Sequence, residues 1–355
     1  MEPDVPAALP LLPVLASAGF GQRRHGGLRV ALWDTDFLLN QVRDSLTPSG
    51  SLLTGFSGIQ LRQYASQHVY TELYRNDSYG HPTKWHKLSE QAVANGAPVP
   101  PQTFQEAFQE RFLVDITFVE MGDLFTDHPL AVAVRAIRNG KGASDGPTAQ
   151  LAVLLSRLRP VTYSHDKHLY ESGVAPEPST LPGVRQAEHK VAQGEHIQVG
   201  AAGIGFGTVA GIDYLARSVS TYLGVPTWLT RLVTAGVGAW ALWNPDRRAA
   251  VGRVLGPIGD FVLEHVERAQ EGLRHLDEHA VDVEPSDAIQ ARIAEVSVLR
   301  ATSRPLLARE IQEGLSSCDP RYEVPSASEL RAVLDAAPCF EEGPRWRYSL
   351  GHRHE

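Results

Sequence analysis

An apolar run from Leu28 to Trp33 stops abruptly on Asp34, and a further strand candidate, Val161 to Ser164, is followed two positions on by Asp166. Continuous apolar runs this short suit strands covered on both faces, as in a parallel sheet. The segments between them carry helical spacing. Thr35 can open a helix bearing Phe37, Leu38, Val42 and Leu46, and Ile59 to Arg75 places Leu61, Ala65, His68 and Glu72 along one helical stripe. Phe112 to Val119 reads as a further strand and Pro129 to Arg138 as a short helix. Beyond a flexible 139–144 loop, Asp145 precedes a helix whose Leu151, Leu154, Leu155 and Leu158 recur at i, i+3, i+4 and i+7. Pro147 falls in its first turn, where no backbone donor is needed. Residues 76 to 101, polar and rich in proline, read as a loop or insertion. Strands alternating with helices through residue 170 give the expected class: α/β, a three-layer α/β/α sandwich on a parallel sheet.

Composition narrows the function. With 355 residues the chain should hold two or three compact units, and 43% hydrophobic with 21% charged residues fits neither a disordered chain nor a polytopic membrane protein. The 33 basic residues are outnumbered by 41 acidic ones, for a net charge of −8, so nucleic acid would have to be held locally rather than by bulk charge. Cys318 and Cys339 are too few for a disulfide framework or a four-cysteine zinc site, which makes a reducing cytoplasm the expected compartment. Glu2 and Asp4 stand where a secretory signal needs positive charge, so no export signal is expected.

Four acids carry the chemistry. Asp34 and Asp166 follow strands, at the carboxyl ends where open parallel sheets gather their ligands; Glu72 lies on the inner stripe of a helix, and Asp145 begins another. Taken alone, any strand-terminal aspartate can simply cap the helix that follows. Four carboxylates converging in one cleft would repel unless divalent cations neutralised them, and hard oxygen donors select Mg²⁺ or Mn²⁺. Such a centre suits in-line hydrolysis of a phosphodiester. Asp115, Asp123 and Asp127 are further acids that can replace one of the four. His165 and His168 flank Asp166 among charged residues, with no cysteine or third histidine at ligand spacing, and read as solvated loop residues. The pair Asp34 and Asp36 also suggests a dehalogenase-like phosphatase, but neither the helical lysine nor the later acid pair of that mechanism is evident.

At these positions the chain resembles the PIN-domain nuclease superfamily. The likeness rests on Asp34-Thr35-Asp36 followed by Phe37-Leu38-Leu39, on Thr71-Glu72-Leu73, on Ser144 to Ala152 and on Val161 to Leu169, and covers about residues 28 to 170. It implies a metal-dependent endoribonuclease acting on single-stranded RNA, with Asp34, Glu72, Asp145 and Asp166 as both catalytic residues and metal ligands. Thr35, Asp36 and Ser164 would support them, Ser164 by orienting the last acid or a phosphate. Two departures stand out: Asp36 occupies a position where asparagine is common in the family, and 76–127 is longer than in compact members.

The remaining half changes character. Residues 1–27 read as a lead-in, 28–170 as the PIN-like domain and 171–195 as a linker. Next come a Gly-rich apolar helical hairpin over 196–245 and a helix over 246–280. Residues 285–355 show the helix, helix, helix, strand-pair order of a winged-helix domain. The uncharged runs of the hairpin, 16, 13 and 14 residues, each fall short of the roughly 20 that a span needs. Its two expected roles are an oligomerisation core, making the chain a homo-oligomer, and a membrane contact through 197–245 that would hold it at the inner face of the cell membrane. From 287 to 355 there are nine basic and eleven acidic residues, so the winged helix is expected to bind a protein or RNA rather than read duplex DNA. By analogy alone, the whole would be a regulated, toxin-like or defence effector. The alternative is a catalytically inactive PIN-like scaffold anchored to a membrane or oligomer through the hairpin.

Overall fold

Every residue of the first strand, β1 (Arg29–Trp33), is buried, as expected of a central strand in a sheet covered on both faces. The computed structural model describes residues 28–46, 60–76, 83–137, 145–205, 264–300 and 305–353. In chain order β1 is followed by α1 (Thr35–Ser45), β2 (Leu61–Ser66), α2 (Gln67–Tyr74), α3 (Thr83–Ala94) and α4 (Pro101–Phe108). A widened helical turn, Gln109–Leu113, continues α4, and β3 (Ile116–Val119), α5 (Pro129–Ala136) and α6 (Gly146–Leu154) come next. Then follow β4 (Val161–Tyr163), α7 (Lys167–Glu171), α8 (Leu181–Gly205) and α9 (264–278). The C-terminal segment contributes α10 (Ile289–Arg300), β5 (Leu306–Leu307), α11 (Ala308–Cys318), α12 (Ala327–Ala336), β6 (Phe340–Gly343) and β7 (Arg347–Leu350).

The fold is α/β with a parallel four-stranded sheet in the order β3-β2-β1-β4. Register aligns the strand ends: Trp33 pairs with Ala65 on one side and Tyr163 on the other. Asp34, Ser66 and Ser164 are therefore the next residues along three adjacent strands. Alternation sends Val30 and Leu32 into the cluster formed with Leu151, Leu154 and Leu155 around α6. On the opposite face Trp33 packs against Phe37 and Tyr163, with ring centroids 5.6 and 5.4 Å away.

Several expected elements are corrected. Residues 59–75 are not one helix: Leu61–Ser66 is a strand held between β1 and β3, and only Gln67–Tyr74 is helical. Pairing on both edges overrides a stripe of only four residues. Residues 83–94 are a helix rather than loop, because Trp85, Leu88 and Ala92 supply a narrow buried stripe among polar neighbours. The strand expected from Phe112 starts only at Ile116, since Phe112 and Leu113 close the helical turn after α4. The linker expected over 171–195 is helical from Leu181. The Leu151 to Leu158 spacing is buried throughout, but α6 ends at Leu154, and a tight turn over Ser156–Leu158 carries the pattern on.

The described chain divides into two compact units. One takes in 61–181 and 279–355 together with β1 and α1. Its core runs without a break from Leu32 and Val119 to Ile293 of α10, Ile311 of α11, Leu330 of α12 and Tyr348 of β7. The segment expected to stand apart as residues 285–355 thus shares a hydrophobic core with the sheet. Its own sheet is antiparallel, in the order β5-β7-β6. His352 extends the parallel sheet by an antiparallel bridge, exchanging two 2.9 Å backbone hydrogen bonds with Phe118. Gly351 makes that approach at φ +63°, where any Cβ would strike the Phe118 carbonyl.

The second unit contains α9 and α8 beyond Leu181. Gly194 and Gly272 let these helices close up: a Cβ at Gly194 would collide with that of Ala269, and one at Gly272 would come 2.7 Å from the Ala187 carbonyl. The expected hairpin beyond Gly205 lies outside the described residues, while 196–205 continue α8. Among the described residues no helix is long and apolar enough to cross a membrane.

A buried ion pair ties α10 to the turn after α6. Arg157 Nε donates to Glu295 Oε2 at 2.5 Å, with only 5% and 3% of the two side chains exposed, and Asp287 adds a 3.2 Å contact from the surface. Removing one partner of a buried pair strands the other charge. Glu295→Ala should lower unfolding free energy by about 3–5 kcal/mol, and Asp287→Ala, which removes an 82% exposed carboxylate, by less than about 1 kcal/mol. Urea denaturation of the two variants checks the contrast.

Candidate metal centre

Asp34 occupies the position just before α1, yet its side chain makes no capping bond to that helix. The carboxylate turns instead across the sheet edge, where Oδ2 accepts a 2.6 Å hydrogen bond from Ser164 Oγ. Ser164 is fully buried and serves twice, since its Oγ also accepts from the Asp166 N–H at 2.8 Å. One hydroxyl therefore joins the ends of β1 and β4. Capping alone does not account for Asp34.

Asp145 likewise precedes a helix without capping it by its side chain. Its Oδ2 lies 2.9 Å from His168 Nδ1, and the same ring nitrogen is 3.0 Å from Asp166 Oδ1. Asp166 does cap α7, accepting the His168 N–H at 2.7 Å. Ligand atoms of Asp145, Asp166 and His168 all lie within 4.8 Å of one another, close enough to hold one metal ion.

The charges report on each other. Asp34, 8% exposed, has its carboxyl pushed from an ordinary 3.8 up to about 7. Burial is the main cause; the Asp145 and Asp166 charges add to it, while the Ser164 hydroxyl and the Thr35 N–H oppose it. The three aspartates thus share one low-dielectric edge of the sheet. Glu72 is one step removed. Its Oε1 is 3.5 Å from His68 Nε2 and its Oε2 is 3.5 Å from Lys84 Nζ. These contacts, His68 above all, hold its carboxyl down at about 2. His68 in turn is raised, first by Glu72 and also by Asp145 and Asp34, so the pair borders the aspartate cluster. Thr35, 3% exposed, has its hydroxyl on the Glu72 side, where it helps to hold that carboxyl down.

Asp36 points away: it is exposed and sits 3.2 Å from His165 Nδ1, whose ring stacks on Phe37. Asp115 precedes β3, at the opposite end of the sheet, and Asp123 and Asp127 are exposed on the loop after β3. None of these three takes the place of Asp34, Asp145 or Asp166 beside Ser164 and His168. The solvated reading of His168 is corrected, because its side chain is only 12% exposed and bridges two of the acids. The spacing Asp166-x-His168 was its signal, since a strand-end acid and the second residue of the following helix turn share one side. Lys84 had no such signal while 83–94 read as loop.

The donor set that could hold a divalent cation is two hard carboxylates, Asp145 and Asp166, with the His168 imidazole beside them, and the buried Asp34 adjoins it. Because the folded pKa of Asp34 exceeds the unfolded one, the group costs no stability below about pH 4 and an increasing amount as pH rises through 7. In chelator-treated protein, Asp34→Asn should therefore be more stable than wild type at pH 8, by about 1–3 kcal/mol, with the difference closing towards pH 4. Denaturant titrations at the two pH values measure it. No protein-family model matches the chain, and neither a curated protein nor a solved structure matches it.

Proposed function

We propose that the protein is a PIN-like endoribonuclease that needs a divalent cation, Mg²⁺ or Mn²⁺, to hydrolyse phosphodiester bonds in single-stranded RNA. One observation carries the proposal: ligand atoms of Asp145, Asp166 and His168 converge within 4.8 Å of one another at the carboxyl edge of a parallel sheet, with the buried Asp34 tied to the end of β4 through Ser164. The β3-β2-β1-β4 order and the acids just beyond β1 and β4 support the PIN-like class. The choice of single-stranded RNA rests on the resemblance.

A cation bound there would offset the charge of the phosphodiester and of the leaving oxygen during in-line attack by water. Asp34, Asp145 and Asp166 would hold it. Ser164 keeps the Asp34 carboxylate turned across the strand ends, and the His168 N–H fixes Asp166. Glu72, ionised between His68 and Lys84, sets charge at the rim rather than at the centre.

The C-terminal elements run helix, short strand, helix, helix, strand pair, with β7 between β5 and β6, which supports a winged-helix reading. Its shared core with the sheet makes it a fixed platform for a protein or RNA partner. Homo-oligomerisation and a membrane contact through 197–245 belong to the same proposal.

Labelled single-stranded RNA incubated with Mn²⁺ tests the activity. Wild type should cut it, with cleavage lost on adding chelator and slowed about 100-fold or more in Asp34→Asn and Asp145→Asn. Equal cleavage by all three proteins, or by none, contradicts the proposal.

A further inference from the structure

His168 lies where the cation-binding atoms converge, and three observations set it apart from a residue that merely orients a carboxylate. Its Nδ1 stands 2.9 Å from Asp145 Oδ2 and 3.0 Å from Asp166 Oδ1. A single N–H can point well at only one of these oxygens, so one hydrogen bond does not account for both short spacings. Adjacent ligand atoms on an octahedron with bonds of about 2.1 Å are about 3.0 Å apart. Both spacings therefore match edges that run from a nitrogen ligand to two oxygen ligands of one shared ion.

The ring is also held in place. Asp166 accepts the His168 N–H, Ser172 Oγ donates to the His168 carbonyl at 2.8 Å, and only 12% of the side chain is exposed. Its Nε2 is buried and finds no hydrogen-bond partner among the described residues, so nothing there competes to turn the ring away from the acids. Order is thus imposed on His168 by backbone that also positions Asp166.

We propose that His168 is itself a ligand of the ion held by Asp145 and Asp166, so that the site selects Mn²⁺ or a later first-row divalent ion over Mg²⁺. Imidazole is a donor these ions accept readily, whereas Mg²⁺ keeps to oxygen. The inference rests on the cation-dependent reading of this centre and adds the identity of one ligand and the class of ion.

Metal-free full-length protein titrated with MnCl₂ and observed by pulsed EPR tests it without an activity assay. Wild type should show histidine-nitrogen coupling to the bound Mn²⁺, and His168→Gln should lose that coupling. Calorimetry should show the preference for Mn²⁺ over Mg²⁺ falling at least about tenfold in the variant. Bound Mn²⁺ without nitrogen coupling in wild type overturns the inference, as does coupling that survives in His168→Gln. The wild-type spectrum decides even if that variant fails to fold. Asp145→Asn separates the two levels: Mn²⁺ affinity lost there, with no nitrogen coupling in wild type, removes only His168 as a ligand. Affinity and coupling both retained in Asp145→Asn, or no Mn²⁺ binding at all, overturns the centre itself and this inference with it.

Discussion

Like charges brought together at the buried end of a sheet repel, and the region around β1 and β4 is arranged about that cost. Two unit charges about 4 Å apart repel by about 4 kcal/mol at an effective dielectric of 20. A hydrogen bond to a charged group returns about 1.5–3 kcal/mol. Burial first, and then the charges of Asp145 and Asp166, outweigh the single Ser164 hydroxyl on Asp34, and the carboxyl rises to about 7. A divalent cation bound beside these acids would offset that cost, which is the physical basis of the proposed metal centre. The neighbouring Glu72 illustrates the other solution: it is answered by His68 and Lys84 and stays ionised.

The scaffold holds those acids by means that do not depend on them. Strand register places Asp34 and Ser164 side by side, and the buried α6 fixes Asp145. The C-terminal helices press on that same α6 through a continuous core, Arg157 and Glu295 pin α10 to the following turn, and His352 covers the β3 edge. A parallel sheet of only four strands leaves edges that would otherwise pair with another chain. The C-terminal segment is thus part of the platform that keeps the acids in register.

Much of this was legible in the amino-acid order, for identifiable reasons. Strands β1 and β4 are buried on both faces, and each is a short run mostly of β-branched, aliphatic and aromatic residues that ends at an acid or a hydroxyl. Asp34, Asp145 and Asp166 could be picked out because each stands next to such an element. The β2 segment was not legible: Leu61, Ala65, His68 and Glu72 keep helical spacing across a strand-to-helix junction, and only pairing with β1 and β3 divides them. The helix α3 hides behind a stripe of three buried residues, which concealed Lys84 as well. The Asp166-x-His168 spacing placed His168 beside one acid, but its 2.9 Å contact with Asp145, 23 positions away, is a tertiary contact that local composition cannot report. The shared core with residues 285–355 is likewise a matter of tertiary contact alone.

The most direct measurement of the central claim is anomalous diffraction at the manganese edge from crystals of the full chain grown with Mn²⁺. The account expects a peak within coordination distance of carboxylate oxygens from Asp34, Asp145 and Asp166. Crystals in which those three side chains converge but bind no manganese, or in which the ion lies elsewhere, would contradict it.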